Sequence, residues 1–173
     1  MSAMTAPLVD PMAMRQAMGR FATGVAVITT EEDGRPHGMT VNSLTSVSLE
    51  PPLLLVCFNH GARTAEAAVS SGRFVVNILS KRQQAIALRF AARGEDHFAG
   101  LDLDYAGHRV PVVPQALAHL ECDVERVVEA GDHTIVLGAV LGATMREGEP
   151  LGFYGGKFSD IQQHGHEPEH WFF

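Results

Sequence analysis

The longest uninterrupted run of apolar residues in this chain, Leu53–Phe58, is only six residues long. A membrane-spanning helix needs roughly 20 consecutive apolar residues, so no such helix is expected. Short apolar runs separated by turn signals are typical of strands. The segments Val25–Thr30 and Pro36–Val41 flank an acidic turn that ends in Gly34, and they predict a β-hairpin. The run Leu53–Phe58, which follows two prolines, predicts a strand buried on both faces.

Three short helices are predicted before residue 92. Asp10 followed by Pro11 predicts the N-cap and first position of a helix, which we expect to end at Gly24. The alanine-rich segment Thr64–Ser71 predicts a second helix. The capping-box pattern of Ser80–Gln83 predicts the start of a third.

Strand patterns dominate the rest of the chain. Phe74–Leu79 predicts a buried strand, residues 118–124 alternate as in a half-buried strand, and His133–Thr144 predicts a long apolar one. Residues 91–114 predict an irregular excursion. The apolar segments come as hairpins around two interposed helices, without regular strand–helix alternation. This order predicts a mainly β fold with α insertions, a closed or nearly closed antiparallel barrel.

The chain has 173 residues, the size of one domain. We expect a disordered leader over residues 1–9, the folded domain over 10–161 and a His-rich and aromatic tail over 162–173. The first ten residues carry neither a basic region nor a long apolar core, so no secretory signal is expected.

Charge and cysteine content constrain the partners and the compartment. The net charge of −7 provides no basic field for a phosphate backbone, so nucleic-acid binding is not expected. The two cysteines, Cys57 and Cys122, are too few for a disulfide framework and favour the reducing cytoplasm.

The nine residues Thr40–Ser48 are the most informative for function. Six of them carry small hydrogen-bonding side chains, and the apolar ones break strict alternation. The backbone is therefore expected to turn or bulge near Asn42–Ser46. A bulge of this kind directs N–H groups and hydroxyls toward one point, where an anion such as a phosphate can be held. The alternative is a Ser/Thr-rich edge strand with ordinary turn chemistry.

Two further segments contain residues suited to an anionic ligand. Arg63 and Thr64 stand at a predicted helix start, where a guanidinium and free N–H groups suit a phosphate. The alternative is a solvated arginine near a cap. His133, which follows Asp132 at a strand mouth, can orient a ligand or carry a proton. The alternative is a turn histidine without a role.

A third candidate is the segment around two glycines near the C-terminus. Gly155 and Gly156 lie between Tyr154 and Lys157, which allows close approach of a flat ligand that carries negative charge. The alternative is an ordinary glycine turn, with Phe153 as a core contact.

The C-terminal tail carries His164, His166 and His170 and ends in the aromatic segment Trp171–Phe173. Histidines on a flexible tail form at most a weak metal site, so no functional metal site is predicted. Three aromatic residues at a free end are expected to pack on the body of the protein or on another subunit. The chain has neither G-x-S-x-G nor G-x-G-x-x-G, which argues against a serine hydrolase and a Rossmann dehydrogenase.

Four motifs together resemble the short-chain flavin reductases, the reductase components of two-component flavin-dependent monooxygenases. They occur in the order and spacing of that family: Phe21–Thr30, Gly38–Pro52, Phe74–Leu79 and Gly131–Gly138. The resemblance covers nearly the whole chain, but not the histidine tail. It implies a split antiparallel β-barrel that binds FMN or FAD, usually in a homodimer.

The resemblance also implies three groups of site residues. At the isoalloxazine and ribityl chain of the flavin they are Thr40, Asn42 and Ser43. On the phosphate side they are Ser46, Arg63 and Thr64. Where the nicotinamide nucleotide docks they are His133, Tyr154, Gly155, Gly156 and Lys157.

The implied activity is an NAD(P)H-dependent flavin reductase that reduces FMN or FAD and supplies a separate monooxygenase. Direct hydride transfer needs positioning more than a nucleophile or a strong acid–base pair, so no catalytic group is required beyond a role for His133. Two alternatives stay open. One is a non-catalytic flavin- or haem-binding protein on the same barrel, and the other is an enzyme like the pyridoxamine-phosphate oxidases.

Overall fold

The computed structural model describes residues 8–94, 96–106, 109–162 and 165. Its helices are α1 Pro11–Met18, α2 Arg63–Ser71 and α3 Gln84–Ala91, with a 3-10 turn at Lys81–Gln83 before α3. Its strands are β1 Thr23–Gly24, β2 Ala26–Glu32, β3 Arg35–Val41, β4 Thr45–Leu49, β5 Pro52–Asn59, β6 Arg73–Ile78, β7 Asp104–Tyr105, β8 Pro111–Val112, β9 Ala118–Ala130, β10 His133–Met145, β11 Gly152–Tyr154 and β12 Lys157–Ser159. None of the helices in this described part is long and apolar enough to cross a membrane.

Seven strands form one antiparallel sheet in the order β3-β2-β6-β9-β10-β5-β4. A second sheet has the order β1-β11-β12, and β7 pairs with β8. The inner face of the large sheet encloses a core that includes Ile28, Val56, Phe74 and Val136, and α2 packs against this core. The predicted mainly β antiparallel fold with helical insertions is confirmed.

Local signals in the sequence account for several element boundaries. The side chain of Asp10 accepts hydrogen bonds from the backbone N–H groups of Met12 and Ala13, so the predicted N-cap of α1 is confirmed. Asp33 and Gly34 both have positive φ, as a two-residue hairpin turn between β2 and β3 requires.

The predicted end of the first helix at Gly24 is wrong. Helix α1 ends at Met18, and Gly24 belongs to β1, where it pairs with Gly152 of β11. The helix buries no residue of its own, and Phe21 is 69% exposed. No core contact would stabilise a longer helix, so the chain after Met18 turns and forms strand pairs at Thr23 and Gly24 instead.

The prediction that Leu53–Phe58 is buried on both faces is also wrong. Leu54, Val56 and Phe58 are buried against the core. The alternate residues of β5, Leu53 and Leu55 among them, are only half-buried because no element in the described part of the chain fully covers the outer face of this strand.

A second apolar cluster lies on the other side of β2 and fixes α3. It contains Val27, Leu79, Phe90 and Leu151. The 3-10 turn before α3 is held by Gln83, whose Nε2 donates to the carbonyl oxygen of Pro114 at 2.8 Å. These contacts set the position of α3 and of the β11–β12 hairpin relative to β2.

Replacing Gly138 with alanine is expected to lower the free energy of unfolding by about 1–3 kcal/mol through overpacking. A Cβ there would lie 2.6 Å from Cζ of Phe74 and 3.0 Å from Cβ of Cys122, both in the core. The matched control is Gly142→Ala on the same strand, where the nearest atoms lie at 3.9 Å. Urea unfolding measures both, and equal stability of the two variants would contradict the prediction.

Candidate functional site

Two neighbouring clefts share the lining residues Thr40 and Ala91. The first, here called the apolar cleft, has a volume of about 660 Å³. The second, here called the cationic cleft, has a volume of about 890 Å³ and a mostly polar lining. Both volumes lie in the range of small-molecule sites.

One face of α3 and the β11–β12 hairpin form the two walls of the apolar cleft. Gln84, Ala87, Leu88 and Ala91 share that helix face because they are three, four or seven residues apart. Opposite them lie Phe153, Gly156, Lys157 and Phe158. A slot of this kind accepts a flat ring system.

The hairpin turn at Gly155 and Gly156 requires glycine at both positions. Their φ angles are +58° and +80°, and no atom lies within 4 Å of a Cβ placed on either residue. The turn is therefore tight, and the space next to its two glycines is open, so a ligand can approach the backbone closely. The predicted residue Lys157 lines the cleft, whereas Tyr154 is 42% exposed and lines neither cleft.

The predicted bend after β3 is present, and it brings two of the predicted residues to the apolar cleft. The Thr40 hydroxyl donates to the carbonyl oxygen of Ala87 at 2.7 Å and so joins β3 to α3. Asn42 lines the cleft, and its amide makes no hydrogen bond to the part of the chain that the structure describes. It is therefore available to a ligand.

Ser43 and Ser46 do not line either cleft of the single chain. The Ser43 hydroxyl donates to the carbonyl oxygen of Cys57 at 2.8 Å and accepts from the Cys57 N–H at 3.2 Å. It ties the bend to β5. Ser46 is exposed on the edge strand β4, next to a register shift between Ser46 and Ser48.

Arg63 and Thr64 open α2 at the cationic cleft, as predicted for an anion site. The N-cap residue is Ala62, which has no side chain to cap the first N–H groups. Thr64 is only 5% exposed, and within the described residues its hydroxyl has no hydrogen-bond partner. The hydroxyl is accessible and has no partner among the described residues; beside free N–H groups and a guanidinium, it is suited to an anion.

His133 lies at the start of β10, outside the lining of both clefts, although its cross-strand partner Asn59 lines the cationic cleft. The His133 Nδ1 lies 2.7 Å from Oδ1 of Asp132. The hydrogen bond from His133 lowers the pKa of Asp132 below its ordinary value. This pair fixes the ring and leaves Nε2 free to face a ligand or a second subunit.

Sequence reasoning missed several lining residues. In the sequence, nothing distinguishes the positions of Gln84, Leu88 and Ala91 from the solvent-facing side of an ordinary helix. They line a cleft only because of how α3 packs. Arg35 and Arg93 also line the cationic cleft. Their only sequence signal is positive charge near glycine.

No group of three or more metal-ligating side chains is found in the described residues. The tail histidines His164, His166 and His170, and the aromatic residues after them, lie outside that part of the chain. The tail also contains the spacing His-Glu-x-x-His at His166–His170. That spacing is a zinc-binding pattern only on a helix.

Comparisons with known proteins agree with the family resemblance of the sequence motifs. The family model described as "Flavin reductase like domain" matches residues 18–162. The reductase subunit HsaB of a flavin-dependent monooxygenase from Rhodococcus jostii is 39% identical over 170 residues, covering 98% of this chain and 87% of that protein. A Rhizobium meliloti protein named "Probable flavin reductase" is 46% identical over 138 residues, and the match covers 79% of this chain but 44% of that protein.

A solved structure gives the same result for the fold. The structure of the NADH:FAD oxidoreductase SgcE6 from Streptomyces globisporus superposes with a TM-score of 0.83 at 39% identity, covering 92% of this chain and 99% of that one.

Proposed function

We propose a function for this chain from the premise that it belongs to the flavin reductase like domain family. It is an NADH-dependent flavin reductase, and its product is the reduced flavin that a separate monooxygenase component uses. One observation carries the proposal: an apolar slot and a cationic cleft share the lining residues Thr40 and Ala91. A flat ring with a phosphorylated chain needs these two environments side by side.

The residues present fit a flavin. The apolar cleft has walls of α3 and Phe153, while the cationic cleft offers Arg63 and the free hydroxyl of Thr64 to a phosphate. When bound, the flavin accepts the hydride of NADH and so carries the two electrons.

The residues of the chain bind and orient the two reactants. Asn42, an exposed residue that lines the apolar cleft, offers an amide donor and acceptor, and Thr40 joins β3 to the α3 wall. Lys157 places positive charge beside the ring site, where reduction adds negative charge. His133 is held by Asp132 at the start of β10, beside Asn59 of the cationic cleft and outside the lining of the apolar cleft, so the described chain does not bring it together with Lys157. None of these roles requires a nucleophile.

The proposal is tested by mixing the purified protein with NADH and either FMN or FAD and following the absorbance of NADH. We expect NADH loss that depends on the flavin. A preparation that retains a chromophore but shows no turnover would indicate a non-catalytic binding protein. Oxidation of pyridoxamine phosphate in place of NADH would indicate the other alternative.

We also propose that the protein is a homodimer, formed through the outer face of β5 and β10. This face consists of three cross-strand pairs of half-buried residues: Cys57 with Ile135, Leu55 with Leu137 and Leu53 with Ala139. Leu141, further along β10, is 60% exposed. An apolar sheet face of this extent favours a covering subunit. A single barrel of this size also walls a flavin on one side only, so a second copy would help enclose both reactants.

The two cysteines provide a test of the dimer. At about pH 8 a thiol reagent is expected to modify Cys57 on the outer face much faster than Cys122. Burial raises the pKa of Cys122 to about 12, and it raises the pKa of Cys57 as well. In a homodimer the Cys57 reaction slows as protein concentration rises.

Leu137→Asp is expected to abolish this dependence on concentration and to give a monomer in sedimentation experiments. Val69→Asp, on exposed helix surface of α2, is the matched control. A Cys57 rate that is independent of concentration in both variants and in the parent protein contradicts the dimer.

The domain boundaries and the compartment remain proposals. We assign the catalytic unit to residues 10–161, with a leader over 1–9 and a tail over 162–173. Both cysteines are free thiols, which favours a reducing cytoplasm.

A further inference from the structure

Helix α1 and the turn after it present a largely exposed apolar surface. Met14, Met18 and Phe21 follow one another at spacings of four and three residues, so they share one side. The N–H of Phe21 donates to the carbonyl oxygen of Met18 at 3.0 Å, which continues the helical turn. Their exposed fractions are 51%, 53% and 69%, and α1 buries no residue of its own. These three residues, here called the α1 face, mark a place where another segment packs.

The α1 face has a fixed position beside the second sheet. The carbonyl oxygen of Gly19, at the end of α1, accepts a hydrogen bond from the N–H of Gly155 at 3.0 Å. In the same sheet Ser159 of β12 lies opposite Gly152, which lies opposite Gly24. Two strand spacings amount to about 10 Å. The chain therefore leaves β12 close to the segment that joins α1 to the sheet.

The C-terminal segment has the length and the residue types to cover this face. Eleven residues follow Gln162, and an extended chain of that length spans on the order of 35 Å. Helix α1 has eight residues and is about 12 Å long, so the segment can reach all of it. The segment ends in Trp171–Phe173, and aromatic rings make favourable contacts with methionine sulfur. Each such ring buries about 150–250 Å² when it packs.

Charge complementarity favours the same pairing. Arg15 and Arg20 stand next to the α1 face, are exposed, and form no ion pair with the described residues. The C-terminal segment carries Glu167 and Glu169 shortly before its aromatic residues. An apolar face beside two unpaired guanidiniums fits a segment that is both aromatic and acidic.

We propose that residues 166–173 dock on the α1 face of the same chain, with the aromatic residues against the methionines and the two glutamates beside Arg15 and Arg20. This contact joins the two ends of the chain beside the β11–β12 turn. The α1 face lines neither cleft, so the proposal concerns a separate surface and does not depend on the proposed function.

Trp171 is the one tryptophan of the chain, so its fluorescence reports on the C-terminal segment alone. In the full chain we expect emission at short wavelength and weak quenching by acrylamide, as for a buried indole. Met14→Gln/Met18→Gln keeps the helix propensity but removes the apolar surface, and it should shift the emission to longer wavelength and increase quenching. The matched control is Met145→Gln at the end of β10, where the side chain is 81% exposed, and it should change neither quantity.

Charge reversal tests the pairing with the glutamates. Arg15→Glu/Arg20→Glu is expected to shift the emission of Trp171 to longer wavelength. Adding Glu167→Arg/Glu169→Arg is expected to restore it, because the opposite charges then face each other again. A purely structural defect in α1 would not be repaired by a change in the C-terminal segment. Circular dichroism confirms that each variant is folded.

The outcomes decide whether the segment docks, and on which chain. Long-wavelength emission in the parent protein, or emission that no α1 variant shifts, overturns the proposal. To assign the chain, Arg15→Glu/Arg20→Glu is unfolded in urea together with Trp171→Phe, whose α1 is intact, and the mixture is refolded. Emission that stays at long wavelength supports docking within one chain. Recovery of short-wavelength emission would place the segment on a second copy and overturn the proposal. No readout uses flavin or NADH, so the result is independent of the reductase assay.

Discussion

Replacing Asn77 with leucine is expected to lower the free energy of unfolding by about 3–5 kcal/mol. Asn77 is fully buried in β6, and its Nδ2 donates to the carbonyl oxygen of Val27 at 2.9 Å and to Oγ1 of Thr29 at 3.0 Å. Its Oδ1 accepts from the N–H of Val113 at 2.8 Å. Leucine has a similar volume but leaves the buried N–H of Val113 without its acceptor and removes the donor to Val27 and Thr29, although Thr29 Oγ1 still donates to the carbonyl oxygen of Pro111. Urea denaturation provides the measurement.

A second variant separates hydrogen bonding from packing. Asn77→Asp retains an acceptor for the N–H of Val113, but it places a carboxylate in the core. Burial raises the pKa of a carboxyl there, so lowering the pH restores a neutral group that can also donate. The difference in the free energy of unfolding between Asn77→Asp and the parent protein is therefore expected to decrease as pH falls. If Asn77→Leu unfolds within about 1 kcal/mol of the parent protein, the network makes no net contribution.

The parts of the fold that follow from short-range rules were predictable. The N-cap at Asp10, the hairpin turn at Asp33 and Gly34, and the helix end before Gly72 each depend on the conformational preference of a few adjacent residues. The end of α1 and the burial of β5 were not predictable in this way. Both depend on what other parts of the molecule, or a second copy of it, provide as a packing surface.

The same distinction applies to the candidate site: residues in local features were predictable, and residues placed by tertiary packing were not. Arg63 and Thr64 were found because a helix start is a local feature, and the structure leaves them free for an anion. The family resemblance implied that Ser43 lines the flavin, yet its hydroxyl is bonded to the backbone of β5. The cleft-facing side of α3, with Gln84 and Leu88, could not be found without the tertiary packing that places it opposite the β11–β12 hairpin.

Replacing Arg63 with alanine is expected to raise the KM for flavin by about tenfold to a hundredfold, with kcat at saturating flavin little changed. Arg63 is exposed and makes no ion pair with the described residues, so its loss should not unfold the protein. It stands beside the uncapped start of α2 and the unpaired hydroxyl of Thr64. A phosphate held there loses the guanidinium of Arg63 in the variant, while the residues that line the apolar cleft are unchanged.

Two milder substitutions at the same place are expected to give smaller increases in the KM for flavin than Arg63→Ala. Arg63→Lys keeps the charge but loses the bidentate fork, so an intermediate KM is expected. Thr64→Val removes the hydroxyl at nearly constant volume. It should raise the KM for flavin by about tenfold without a loss of stability, because the hydroxyl has no partner to lose among the described residues. Equilibrium titration of flavin fluorescence checks the affinities independently of turnover.

FMN and FAD must respond alike to Arg63→Ala, because both carry the phosphate that is nearest to the ribityl chain. An unchanged flavin affinity in Arg63→Ala, with a raised KM for NADH, would move the flavin phosphate away from α2 and assign the helix start to the nicotinamide nucleotide. Because Thr64 and Arg63 both lie at the uncapped start of α2 and line the same cleft, Thr64→Val would then have to shift the KM for NADH as well.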